Sequence, residues 1–121
     1  MNVLIVDDNQ AAADLLQELL QLQNHTAHCT YSAQEALVAF ATEVFDLALL
    51  DLTLPDLPGA EVARRLRTSP TGPLLTLVAI SGFSAADVPA VSEPGLFDYF
   101  LQKPIDFDAL DRILAEAQGR Q

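Results

Sequence analysis

Basic residues are scarce in this chain. Six Lys plus Arg stand against 17 Asp plus Glu in 121 residues, for a formal charge of -11. Phosphate backbones and anionic membranes repel such a surface, which argues against direct nucleic-acid or membrane binding by this domain. No basic residue precedes Arg64, and Lys103 is the only lysine. Cysteine is nearly absent too: Cys29 stands alone, so no internal disulfide can form and a reducing compartment is compatible. No apolar run approaches the ~20 residues that span a bilayer. Met1 leads straight into an apolar strand pattern without a basic leader, so the expected location is the cytoplasm.

What is present is a packed core. Half the residues are hydrophobic, too many for a disordered chain, and 121 residues suit one domain spanning 1–121. Val3–Val6 is a short β-branched run ending in Asp7-Asp8-Asn9. Asn9 caps a predicted helix over 10–23, with Ala12, Leu15, Leu16, Leu19 and Leu20 as its buried stripe. Thr26–Thr30 reads as a second strand. His25 and His28 beside it lack partners at metal-ligand spacing and are expected at a surface or strand edge.

Ser32 to Glu35 has the pattern of a capping box before a second helix that reaches about Thr42. Leu47–Leu50 is a buried strand that ends at Asp51 and a Pro/Gly-rich loop. A third helix follows Pro58-Gly59, with Arg64, Arg65 and Arg67 facing outward near its C-terminus. Leu74–Ile80 is a fourth strand ending in Ser81-Gly82. Pro89 and Pro94 predict that the fourth helix, starting near Ala85, is short or distorted. Asp98–Leu101 is the fifth strand, closed by Gln102-Lys103-Pro104, and Asp106 caps a last helix whose stripe is Phe107, Leu110, Ile113, Leu114 and Ala117.

Five strands alternating with five helices predict an α/β fold: one doubly wound (βα)5 domain with a parallel sheet and helices on both faces. Right-handed crossovers bring every strand's C-terminal end to one edge. Asp7, Asp8, Asp51, Ser81 and Lys103 then converge. Asp51 alone has an ordinary explanation, a turn carboxylate bonding backbone amides. Together the residues make a stronger case.

Three close carboxylates repel, and a hard divalent cation relieves the repulsion. Mg²⁺ takes oxygen ligands and usually one or two carboxylates beside a phosphate. Asp8 and Asp51 are the expected direct ligands, with Asp7 acting through water and the Thr53 backbone carbonyl completing the set. Asp51 can also take up a phosphoryl group, its charge offset by Mg²⁺ and Lys103, while Ser81 donates a hydrogen bond to the product.

The residues Val3–Asn9, Leu50–Gly59, Ala79–Phe83 and Phe97–Pro104 together resemble the response-regulator receiver domain of bacterial two-component signalling. The resemblance covers essentially the whole chain. It implies a flavodoxin-like, CheY-like sheet of order 2-1-3-4-5, a phosphoacceptor at Asp51, an Mg²⁺ pocket, and a cis Lys103-Pro104 bond. It also implies a phosphohistidine donor on a sensor histidine kinase or histidine phosphotransfer protein, docking around the first helix and the loops near Asp51. Ser81 and Phe100 match the family's switch positions, Phe100 without the frequent tyrosine hydroxyl. No basic residue lies between Arg67 and Lys103, which puts in doubt the charged dimer interface of many DNA-binding regulators.

The expected function is therefore a phosphorylation-dependent switch that catalyses only its own phosphorylation and dephosphorylation. One rival is a phosphohydrolase, which would want an acid two residues after the nucleophile, where Thr53 stands. The other is a receiver-like binding module that works without phosphate.

Overall fold

The structure is a computed structural model that describes residues 1–119. Five parallel strands form its sheet: β1 (Asn2–Val6), β2 (Thr26–Thr30), β3 (Leu47–Asp51), β4 (Thr76–Ser81) and β5 (Tyr99–Gln102). Their order is β2-β1-β3-β4-β5, as the resemblance implies. The connecting helices are α1 (Gln10–Leu22), α2 (Ala33–Thr42), α3 (Gly59–Thr68) and α4 (Phe107–Gly119).

Alternation along the strands divides the core into two layers. Val3, Ile5, Leu47 and Leu49 face α1 and α4, while Leu4, Val6, Ala48 and Leu50 face α2 and α3. A strand buried on both sides reads as a continuous apolar run, and β3 is buried at every position. Its terminal Asp51 is carried into the interior by that run.

The five-helix expectation is corrected between β4 and β5. The described residues there form two short 3₁₀ turns, Ala85–Asp87 and Pro89–Ser92, and no α-helix. Pro89 is the cause. It lacks an N–H and disfavours helical geometry in the residue before it, and Val88 is extended at φ -122° and ψ 92°. Of residues 82–98 only Leu96 is fully buried.

The buried face of α1 is rotated from its predicted position, while in α4 Leu110, Ile113, Leu114 and Ala117 are buried as predicted. In α1 the buried residues are Ala13, Leu16 and Leu20, and Leu15 is exposed. Phe107, expected in the α4 stripe, is also exposed. His25 is buried, not at the surface, and its Nδ1 lies 3.0 Å from the Met1 amine. His28 does lie exposed on the edge strand.

Arg67, expected to face outward, is a further correction. It turns in toward the loops: Nε donates to the Leu96 carbonyl, Nη1 to the Gly72 and Leu75 carbonyls, and Nη2 to Asp98 Oδ2 at 2.8 Å. Its side chain is 16% exposed, against 48% for Arg64. The guanidinium ties the α3–β4 connection, through Gly72 and Leu75, to the β4–β5 connection, through Leu96 and Asp98. Arg67→Met is accordingly expected to cost about 2–3 kcal/mol, because buried carbonyls lose their partners. Arg64→Met, which removes the exposed ion pair with Glu93, is expected to cost less than about 1 kcal/mol. Urea unfolding of the two variants checks this, and equal losses would refute it.

Candidate functional site

Each strand end delivers its predicted residue to one edge of the sheet. Asp7 follows β1 and Asp51 ends β3. Both are almost wholly buried, whereas Asp8 is exposed. Carboxylate oxygens of Asp7, Asp8 and Asp51 lie within 4.8 Å of one another. Lys103, one residue past β5, places Nζ 2.7 Å from Asp51 Oδ2 and 3.7 Å from Asp7 Oδ2. One ammonium thus faces three carboxylates. The Lys103-Pro104 bond is cis, and the Lys103 N–H donates to the Ser81 carbonyl at 2.8 Å.

Local hydrogen bonds hold the two buried carboxylates. Asp7 Oδ1 accepts from the Asn9 N–H at 2.9 Å. Asp51 Oδ1 accepts from both the N–H and the hydroxyl of Thr53, each at 2.8 Å. Each pair has an Asp bonding the residue two positions on, a turn geometry that aspartate favours at strand ends. The ordinary explanation of Asp51 does not exclude a chemical one: the turn that caps the strand also orients the carboxylate.

The electrostatics separate the acids. Burial pushes the Asp7 carboxyl above the usual carboxylate range, and the Asp51 charge adds to the rise, against the Asn9 N–H and the Lys103 charge. Burial acts on Asp51 in the same sense. There the Lys103 hydrogen bond and the two Thr53 donors outweigh it and hold the carboxyl below its ordinary value. Asp51 is the buried acid kept ionised. Burial also opposes the Lys103 charge, but the hydrogen bond to Asp51 and the charges of Asp51, Asp7 and Asp8 raise its affinity for the proton.

Ser81 is buried at the end of β4, one position past the residue paired with Asp51. Its Oγ accepts from the Phe83 N–H at 3.0 Å, and its own proton has no acceptor among the described residues. Phe100 pairs in register with Ala79 on the neighbouring strand and is partly buried. Tyr99 packs against the layer of α1 and α4 and donates its hydroxyl to Glu116 at 2.7 Å. Alternation therefore puts Phe100 on the opposite face.

The Thr53 hydroxyl is a contact that the sequence reading missed. Its signal was the Asp-x-Thr spacing, a local side-chain motif. Asp56, in the same loop, carries no comparable local spacing signal.

A groove of ≈ 240 Å³ opens beside the cluster, between α1 and α4, with Leu15, Pro104, Ile105 and Phe107 next to Asp7 and Lys103. A larger cleft of ≈ 500 Å³ lies between the C-terminal ends of α2 and α3, away from the acids. It gathers no comparable set of charged groups, and the smaller groove is the one that adjoins the acidic cluster. Among the described residues no helix is long and apolar enough to cross a membrane.

Comparison with known proteins agrees with this geometry. The family model described as the response regulator receiver domain matches residues 3–115. The chain is 32% identical to the transcriptional regulatory protein ZraR of Salmonella typhimurium, over 97% of its own length and 26% of the regulator's. It thus spans about a quarter of that curated relative. A CheY-like receiver domain from Methylobacillus flagellatus superposes with a TM-score of 0.87 at 38% identity, covering 97% of this chain and 98% of that one. The response regulator TrrA of Thermotoga maritima, solved in complex with Mg(2+)-BeF, gives a TM-score of 0.83 at 26% identity, over 96% of this chain and 97% of that one.

Proposed function

The chain belongs to the response-regulator receiver family, and we propose that it is a signalling switch set by phosphorylation of Asp51. The observation that carries this reading is the buried, ionised Asp51 carboxylate, bonded to Lys103 at 2.7 Å and crowded by Asp7 and Asp8. The donor is a phosphohistidine on a sensor histidine kinase or histidine phosphotransfer protein. An Asp51 oxygen attacks phosphorus as the phosphorus–nitrogen bond breaks, and the departing imidazole takes a proton from solvent. Later attack of water returns inorganic phosphate and free Asp51.

The acidic cluster fits a divalent cation by its chemistry: carboxylate oxygens within 4.8 Å of one another and a single ammonium to offset them. Asp8 and Asp51 would hold Mg²⁺ directly, Asp7 through water, and Thr53 through its backbone carbonyl. When bound, the cation supplies positive charge against the incoming phosphoryl oxygens. Lys103 moves its ammonium from the resting carboxylate to a phosphoryl oxygen. Ser81 then has an acceptor for its unused proton, and Phe100 turns into the space vacated when Ser81 moves.

This is population shift: the phosphoryl group binds the rearranged Ser81 and Lys103 better than the resting ones. The donor docks across α1 and the loops near Asp51. The groove with exposed Leu15 and Phe107 supplies the apolar contact area there.

Titration with Mg²⁺ and beryllofluoride, a phosphoryl mimic, followed by amide NMR, tests the proposal. Saturable, Mg²⁺-dependent shifts are expected at Asp51, Ser81 and Phe100, and none in Asp51→Asn. A folded wild-type domain that does not respond would instead favour a phosphate-independent binding module. The two exposed 3₁₀ turns would then be its place to search for partners.

A further inference from the structure

The β3–α3 loop carries Thr53, yet few directional contacts hold it. Its ends close on each other, with the Gly59 N–H donating to the Leu52 carbonyl at 3.2 Å. A Cβ at Gly59 would lie 2.5 Å from Leu52 Cα, so only glycine permits this closure. Leu52, Leu54 and Leu57 rest on the layer of α2 and α3, a contact with no preferred rotation. Thr53 spends its N–H and hydroxyl on Asp51.

Asp56 is different. Its Oδ1 accepts from the Ala33 N–H and its Oδ2 from the Gln34 N–H, each at 3.0 Å. Among the described residues it is the only side chain of 52–58 that hydrogen-bonds an element other than the adjoining β3. The bond is forked, so it fixes both the position and the rotation of the loop.

α2 has reason to accept this partner. First-turn N–H groups have no acceptor within their own helix, and the positive end of the helix favours a carboxylate. Ser32 Oγ serves only the Glu35 N–H, at 3.2 Å. The carboxylate of Glu35 does not return to the backbone of Ser32 as a capping box would have it, but accepts from the Ser32 hydroxyl at 3.3 Å. Asp56 fills the gap from 22 and 23 residues away. Pro55 precedes Asp56 with its φ locked by the ring, which removes one torsion from the short segment between Asp56 and Thr53.

We propose that Asp56 is a positioning residue for the cation site: by hanging the β3–α3 loop from the N-terminus of α2, it keeps the Thr53 carbonyl at the acidic cluster. The assignment rests on the Mg²⁺ reading given above. Its test is Mg²⁺ titration without any phosphoryl mimic, by calorimetry and amide NMR, on the wild type, Asp56→Ala, Asp56→Asn and Ser32→Ala.

Asp56→Ala is expected to raise the Mg²⁺ Kd about tenfold, the scale on which loss of support behind a metal ligand acts. Asp56→Asn, which keeps one oxygen, should raise it less, and it carries the comparison should Asp56→Ala fail to fold. Ser32→Ala loosens the same helix end without touching the loop and should leave Kd within about twofold. Unchanged affinity in the Asp56 variants, or an equal loss in Ser32→Ala, would overturn the assignment. A wild-type chain that bound no Mg²⁺ would overturn the cation reading itself, and the two failures are thereby distinct.

Discussion

Asp51→Asn is expected to lower phosphoryl acceptance by at least about 10³-fold, the scale on which losing a covalent nucleophile acts. The amide has nearly the shape of the carboxylate but no nucleophilic oxygen anion. Nor can it satisfy the site. Thr53 donates twice to Oδ1 and Lys103 donates to Oδ2, so the native carboxylate accepts at both ends. Asparagine accepts at one end only and sets an NH₂ group against Thr53 or the ammonium. Incubation with Mg²⁺ and a small acyl phosphate, read by intact mass, measures the loss. The amide NMR spectrum establishes that the variant is folded. Undiminished incorporation in the folded variant would place the acceptor elsewhere.

Lys103→Met should move two measurements in opposite directions. The ammonium neutralises the carboxylates at rest, and on the proposed function it stabilises the phosphoryl oxygens afterwards, so its loss is expected to slow acceptance about 10²-fold. The same ammonium competes with a divalent cation for those carboxylates. Without it, Mg²⁺ should bind about tenfold tighter, a change of ~1.4 kcal/mol, modest beside the Coulomb energy of charges about 4 Å apart.

Stability without metal should fall by about 2 kcal/mol. That is less than the full cost of an unpaired buried ion, because the lysine side chain is 35% exposed. Mg²⁺ should restore part of the loss by binding the folded state.

The pH dependence has a definite sign. Asp51 is held below its ordinary value, so its pairing stabilises the fold above about pH 4 and is lost as pH falls through the lowered value. In Lys103→Met the effect of burial is left less opposed, and the acid limb of the stability curve should move to higher pH. Calorimetry of Mg²⁺ binding and urea unfolding across pH read both effects. Weaker Mg²⁺ binding in Lys103→Met would contradict the competition argument.

These expectations depend on residues that the sequence already placed. Val3–Val6 and Leu47–Leu50 are too apolar and too short to be anything but buried parallel strands, and a chain that ends each strand in a polar group commits those groups to one edge. Asp7, Asp8, Asp51, Ser81 and Lys103 were legible for that reason, as were the Asn9 and Asp106 caps, because capping depends on neighbours within three residues. The failure of the fourth helix was legible in part, since Pro89 acts on its own backbone and on Val88.

What lay beyond the sequence was the rotation of elements and the contacts made across them. Periodicity marks an apolar stripe but not its exact centre, so Ala13 and Leu15 exchanged places in α1. Arg67 follows the outward rule of a charged helix residue until two connections distant in sequence, before β4 and before β5, bring carbonyls within its reach. Asp56 meets α2 across 22 and 23 residues, a separation that no local spacing encodes. Sequence by itself determined which groups gather at the sheet edge, because strand polarity is a local property of the chain. Tertiary structure alone decided how those groups are held, because hydrogen-bond partners distant in sequence meet only once the layers have packed.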